Sequence, residues 1–324
     1  MTNVETARGA VDTADFGQVL MHEHVFILSH EFIVNYPDID GFDAERDVEQ
    51  AAARMNELVE SGVGTIVDLT VTGLGRDVAL IKQVAEQTPL NIIVATGHYT
   101  FTELPHFIEM RARFSGEALA DMLAGWFVGD ITEGVAHTGV KAGILKCATD
   151  HPGVTPGVED VLRAVARAHR ETGVPISTHT EAATRRGLEQ QKVFESEGVD
   201  LSRVVIGHSG DTADLEYLEQ LLERGSYLGM DRFGLYGLLP FEERVRTVVE
   251  LCERGHVERL VLSHDAACYN DWFPNGRFES GPWHHCHISR DVLPALRDAG
   301  LDDAELHTML VDNPRRLFEA QGGY

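Results

Sequence analysis

Short apolar runs rich in β-branched residues recur along the chain. Each is followed by a polar turn and then by a stretch with apolar residues at helical spacing. Eight such runs mark predicted strands: 19–21, 65–69, 91–96, 142–145, 175–177, 203–206, 226–228 and 259–262. Between them, 43–61, 158–172, 214–224 and 241–254 carry the repeat of amphipathic helices. Gly62, Gly173, Gly225 and Gly255 close these helices, as the left-handed cap position favours. Asn313-Pro314 reads as an N-cap followed by proline in the first turn. Alternating strands and helices predict parallel strands joined by right-handed crossovers. An open doubly wound sheet shares this pattern. The count of eight, and the lack of a glycine-rich phosphate loop after the first strand, favour a closed (β/α)8 TIM barrel of the α/β class. Such a barrel needs about 250 residues, so residues 1–324 are expected to form a single barrel domain.

Composition narrows the partners. A formal charge of −25 excludes the basic surface that nucleic acid requires. No apolar run approaches the roughly 20 residues that cross a bilayer. The first fifteen residues carry acids and polar groups where an export signal needs a basic start and an apolar stretch. The expectation is a cytoplasmic protein with no membrane or nucleic-acid partner, acting on a neutral or weakly charged small molecule. Cys147, Cys252, Cys268 and Cys286 are scattered without paired spacing and read as reduced thiols.

Candidate chemistry sits at the strand ends. His22-Glu23-His24 follows Val19-Leu20-Met21 directly. Residues two apart in an extended segment face the same side, so His22 and His24 can grip one metal ion. Three other runs finish alike: Ile176-Ser177-Thr178-His179, Val205-Ile206-Gly207-His208 and Val261-Leu262-Ser263-His264-Asp265. Taken singly, a satisfied core histidine or a helix cap explains each. Their common register, at the face where barrels place active sites, favours a metal centre. Strand four ends in Ala142-Gly143-Ile144-Leu145-Lys146, and a lysine closing a buried strand is costly unless neutralised or paired. Two readings stand: a carbamate formed with carbon dioxide and able to bridge two metals, or a lysine paired with a carboxylate.

In this order and register, His22, His24, Lys146, His179, His208 and Asp265 resemble the amidohydrolase superfamily. More narrowly, they resemble its phosphotriesterase family and that family's lactonase members. The resemblance runs from Gly9 to Phe318. Gly97-His98-Tyr99 and Gly229-Met230-Asp231-Arg232-Phe233-Gly234 look closest to the lactonases that hydrolyse N-acyl-homoserine lactones, the signals destroyed in quorum quenching. The resemblance implies an active site at the C-terminal ends of the strands with two divalent ions, zinc ahead of cobalt, manganese or iron. His22, His24 and Asp265 would hold the more buried ion, and His179 and His208 the more exposed one. Carbamylated Lys146 and a hydroxide would bridge them, the hydroxide attacking the lactone carbonyl while Asp265 takes its proton. Tyr99 and Arg232 would lie beside the exposed ion, and Asp211 matches a carboxylate of the proton-shuttle region. Arg232 stands where the phosphotriesterase pattern has a shuttle histidine, which implies only weak phosphotriesterase activity. Relatives of this kind are commonly homodimers. The alternative substrates are other lactones, carboxylic esters or organophosphate triesters.

Other signals carry less. His284-His285-Cys286-His287 fits no common zinc spacing and reads as a loop or the start of a helix. Trp272, Phe273, Phe278 and Trp283 either line a channel for an acyl chain or pack a long loop on the rim. Cys268 has no general base beside it in sequence. Adjacent extended residues face opposite ways, so Tyr99 rather than His98, and Asp265 rather than His264, should face the metals. Phe26, Ile27, Leu28, Phe32 and Ile33 suit a substrate entrance or a subunit interface.

Overall fold

The computed structural model describes residues 2–39, 41–276, 281–320 and 322–324. Among them a hairpin of β1 (Asn3–Thr6) and β2 (Gly9–Asp12), not foreseen from the sequence, precedes the main sheet. That sheet holds β3 (Gln18–Ile27), β4 (Val63–Asp68), β5 (Asn91–Gly97), β6 (Ile144–Thr149) and β7 (Ile176–Thr180). It continues through β8 (Val204–Ile206), β9 (Tyr227–Met230), β10 (Leu260–Leu262) and β11 (Ala267–Asn270). Its neighbours pair in parallel, in the order β10-β9-β8-β7-β6-β5-β4-β3-β11.

Nine strands close an eight-stranded barrel because strand eight is broken. Its first half, β10, pairs with β9, and its second half, β11, pairs with β3. Across the break, the Asp265 amide donates to His22 and the His24 amide to Ala266, sealing β3 against strand eight. Asp265 itself adopts a φ of 57°, costly for a side chain with a Cβ and common where a site imposes its geometry.

The helices follow the predicted apolar spacing. Ala44–Glu60 buries Val48, Ala51, Ala52, Met55 and Leu58 on one stripe, and Asp43 caps it by accepting from the Arg46 amide. Pro156–Thr172 starts earlier than its apolar pattern, because Thr155 caps it and Pro156 fits the first turn, and it ends at Gly173 with φ 79°. One expectation fails. Asn313 is not an N-cap: the chain runs helically from Asp303 through a π-turn at Thr308–Asp312 into Asn313–Glu319. The Asn313 amide instead donates to Val257 and Leu260 and holds the start of β10. A second π-turn, Ile288–Val292, also precedes a proline, Pro294. Proline lacks the N–H and crowds the carbonyl four residues back, so a locally widened turn accommodates it.

Two apolar layers position the site. Leu20, Ile66, Leu145, Ile176 and Ile206 face the helices, while Val19, Met21, Val67, Ile93, Ile144, Val205 and Val261 fill the barrel interior. The period of two explains which polar residues cap that interior. Ile144 faces inward, so Lys146 does too. Cys147, Cys252, Cys268 and Cys286 are all buried. No helix among the described residues is long and apolar enough to cross a membrane.

Candidate metal centre and active site

β3 brings two candidate ligands inward by a change of phase. Val19 and Met21 face the interior, so simple alternation would send Glu23 there next. A register irregularity against β4, between Leu20 and Glu23, shifts the phase. His22 and His24 then point to the centre, and Glu23 points toward the break in strand eight.

The rings converge. His24 Nε2 lies 3.1 Å and His22 Nε2 3.4 Å from Asp265 Oδ1. Lys146 Nζ lies 3.1 Å from His22 Nε2. His208 Nε2 lies 2.9 Å from His179 Nδ1, and the Tyr99 hydroxyl 3.4 Å from the same nitrogen. His208 follows β8 with φ 59°, a second ligand-competent residue in the left-handed region. The structure therefore brings together all six residues expected at the centre. Two details differ: Lys146 sits within β6 rather than at its end, and the His-x-His pair lies inside a longer β3.

Each ring is gripped from behind. Asp231, buried on β9's C-terminal side, places one oxygen 2.8 Å from His22 Nδ1 and the other 2.9 Å from His208 Nδ1. Asp150 Oδ2 lies 2.6 Å from His179 Nε2, and the Thr70 hydroxyl 2.7 Å from His24 Nδ1. A carboxylate behind an imidazole fixes the N–H on that side and leaves the other nitrogen's lone pair facing inward. His208 Nε2 and His179 Nδ1 thus turn lone pairs toward each other across 2.9 Å, while His22 Nε2 faces Lys146 Nζ at 3.1 Å. Such lone pairs repel unless a cation lies between them, and the donor set suits a divalent transition metal.

The electrostatics agree. Burial pushes the rings of His22 and His208 below the ordinary histidine value and that of His179 down to about 4, which keeps them neutral. Burial likewise pushes the Lys146 amine down to about 8. For Asp265, burial works to raise the carboxyl. The opposing pull of the Arg232 guanidinium, together with the hydrogen bond to His24, wins and holds it well below its usual range.

Asp265 is also tied outward. Arg232 Nε donates to Asp265 Oδ2 at 2.8 Å, and Arg232 Nη1 to Asp211 Oδ2 at 3.0 Å. Above this floor opens a cavity of about 150 Å³, with Ile27, Leu74, Leu235, Trp272, Phe273 and Trp283 as its apolar wall. Tyr99 lines it, whereas His98 turns away and sets Nδ1 2.9 Å from the Thr72 hydroxyl. Gly97 is required beside them: at φ 140°, a Cβ there would lie 1.8 Å from the Lys146 carbonyl oxygen. Trp272, Phe273 and Trp283 thus line the mouth, and Phe278 lies outside the described residues. Of the apolar residues after His24, Phe26 and Leu28 are core, Ile27 is cavity wall, and Phe32 is 60% exposed.

His264 faces away from the candidate metal site, as expected. Its Nδ1 meets the buried Glu23 carboxylate, which also accepts from the Ser263 hydroxyl and the His264 and Ala266 amides. His284, His287 and Asp291 gather ligand-type atoms within 4.8 Å of one another. Both ring nitrogens of His287 are already engaged, by Asp291 and by the Tyr236 hydroxyl. The sequence reading missed Asp231, Asp150, Thr70 and Glu23 as supports. Asp231 and Glu23 lie within quoted motifs, yet spacing alone does not show what they hold.

A closed barrel with histidines, a buried lysine and an aspartate at the C-terminal mouth defines a metal-dependent hydrolase. The chain matches the phosphotriesterase family over residues 2–318 and belongs to it. It is 57% identical to the phosphotriesterase homology protein of Mycobacterium tuberculosis, over 100% of both chains. It is 35% identical to an aryldialkylphosphatase of Saccharolobus solfataricus, over 96% of this chain and 98% of that one. A solved structure concerned with engineering organophosphate hydrolysis from a weak promiscuous lactonase template shares 34% identity and a TM-score of 0.89. It covers 98% of this chain and 100% of its own.

Proposed function

We propose that the chain hydrolyses N-acyl-homoserine lactones, with weak activity on phosphotriesters, and so destroys signalling lactones. The observation that carries this reading is the two-sided cavity. Its polar floor of Tyr99, Arg232 and Asp265 suits a lactone head, and its wall of Ile27, Leu74, Leu235, Trp272, Phe273 and Trp283 suits an acyl chain. The likeness to a structure built on a lactonase template supports it.

His22, His24 and Asp265 would hold one divalent ion and His179 and His208 another, with zinc the ion we assign. Bound there, the ions supply a nucleophilic hydroxide near neutral pH and polarise the substrate carbonyl. Lys146 would bridge them as a carbamate, its neutral amine adding carbon dioxide and releasing one proton. Its burial beside His22 supports this, since a neutral amine is what adds to carbon dioxide. Tyr99 and Arg232 orient the lactone, whose ring carbonyl lies over the floor. Asp265 would accept the proton of the attacking hydroxide and pass it to the alkoxide released as the ring opens. Asp211 holds Arg232 in place. The unit acting is one barrel domain, which we place in the cytoplasm as a homodimer.

The test is ring-opening of a medium-chain N-acyl-homoserine lactone by the purified protein, before and after metal removal and restoration. Simple aliphatic lactones, an aryl ester and an aryl phosphotriester serve as comparisons. Metal-dependent turnover with the acyl lactone preferred supports the reading. Turnover of another class, with no activity on acyl-homoserine lactones, sinks it and leaves the metal-dependent hydrolase.

A further inference from the structure

We propose that Arg244 is a positioning residue: it sets the direction in which Arg232 meets Asp265 and the substrate, acting through Asp211. Arg244 lies on the helix Phe241–Glu253, outside the cavity lining, and is the largest fully buried side chain among the described residues. A buried guanidinium is expensive unless its donors are matched. Here they meet four acceptors on two loops. Nη1 donates to the Gly210 carbonyl at 2.7 Å, and Nη2 to Asp211 Oδ1 at 2.7 Å and to the Leu235 carbonyl at 3.1 Å. Nε donates to the Leu239 carbonyl at 3.1 Å. The turn after β8 and the loop after β9 are therefore knotted to one side chain.

A line of alternating charge follows. Arg244 takes one oxygen of Asp211, and Arg232 Nη1 takes the other. Arg232 Nε then takes Asp265 Oδ2. With both oxygens engaged, Asp211 has no freedom to rotate, and the plane of the Arg232 guanidinium is fixed from two sides. The same knot holds the main chain at Leu235, whose residue forms part of the apolar wall. Lysine cannot replace this arrangement, because its donors radiate from one point and do not span two loops. The inference rests on the proposed place of Arg232 beside the substrate, but not on the substrate being a lactone.

The experiment is a double-mutant cycle in the metal-reconstituted enzyme. Arg244→Lys is made alone and in an Arg232→Met background, and assayed on whichever of the lactones, aryl ester or phosphotriester the wild type hydrolyses. Alone, it should lower kcat/KM about 10- to 100-fold, the range for residues supporting a metal site from behind. In the Arg232→Met background it should lower kcat/KM by a much smaller factor, the part carried by the Leu235 contact alone. Losses that multiply independently overturn the proposal. Asp211→Asn enters the same cycle with the same expectation, and decides the matter if Arg244→Lys does not fold.

A second readout needs no substrate. In protein labelled with 15N-arginine, the Arg232 Nε–H signal is identified by its loss in Arg232→Lys. Its exchange with solvent should quicken more than tenfold in Arg244→Lys or Asp211→Asn, and unchanged exchange overturns the proposal. A wild type inactive on acyl lactones but active on another class defeats only the substrate reading, and the cycle then runs on that class.

Discussion

The carboxylate of Glu23 lies 2.6 Å from the Nδ1 of His264, and both side chains are fully buried at the seam where the barrel closes. The same carboxylate accepts amide hydrogens on either side of Asp265. Glu23 supplies the acceptors that the interrupted ladder between β3 and strand eight cannot.

Glu23→Gln should therefore unseat the break. An amide keeps the shape but turns an N–H₂ toward donors that need an acceptor. We expect a loss of about 2 kcal/mol, the range for hydrogen bonds to a charged group and for buried donors left unsatisfied, read as a shift in the urea midpoint. A midpoint equal to wild type would show that the clamp does not hold the seam.

Asp265→Ala removes a carboxylate shared by the metal floor and Arg232. Turnover should fall on the order of 10⁴-fold, as for an essential member of a catalytic unit, while the circular dichroism spectrum stays native. Full activity in this variant would refute the role given to Asp265.

Lys146→Ala leaves a cavity beside His22 and removes the proposed bridge. The purified variant should lose the paired metals, measured by elemental analysis, and regain part of its activity with added short-chain carboxylate. Two tightly held metals without any such rescue would count against a carbamate.

Acid should destabilise the fold between about pH 6.5 and pH 4, the ordinary and native-state values of two buried rings. Burial pushes both His98 and His285 down to about 4. In that window the unfolded chain protonates these rings and the native chain does not. The unfolded state binds more protons, so stability is full above the window and is lost as pH falls through it. Calorimetry across the window should show a falling Tm, with a shallower slope in His98→Asn and His285→Asn. Equal slopes in the variants and wild type would remove these rings as the cause.

The barrel and its central residues were legible because both are written in linear order. An apolar run announces a strand, and the residue that ends it occupies the mouth. His22, His24, Lys146, His179, His208 and Asp265 are all found this way. Asp231 was not, because its two oxygens serve rings from β3 and from the end of β8, and no spacing records that. The broken strand eight hid for a related reason: Ala267–Asn270 pairs with a partner far away in sequence. Asn313 misled because Asn-Pro usually starts a helix, whereas here a π-turn carries the helix past the proline.

The seam between β3 and strand eight also sets an order in time. His24 and Asp265 stand 241 residues apart and meet only when that seam closes. Pairing at such a separation is intrinsically slow, since the entropy of a long loop is lost before its contacts form. A chain still emerging from the ribosome exposes His22 and His24 long before the aspartate that completes their site exists. Until then His22 and His24 lack the carboxylate that lies 3.4 Å and 3.1 Å from them in the folded chain. The candidate site is complete only once strand eight is in place.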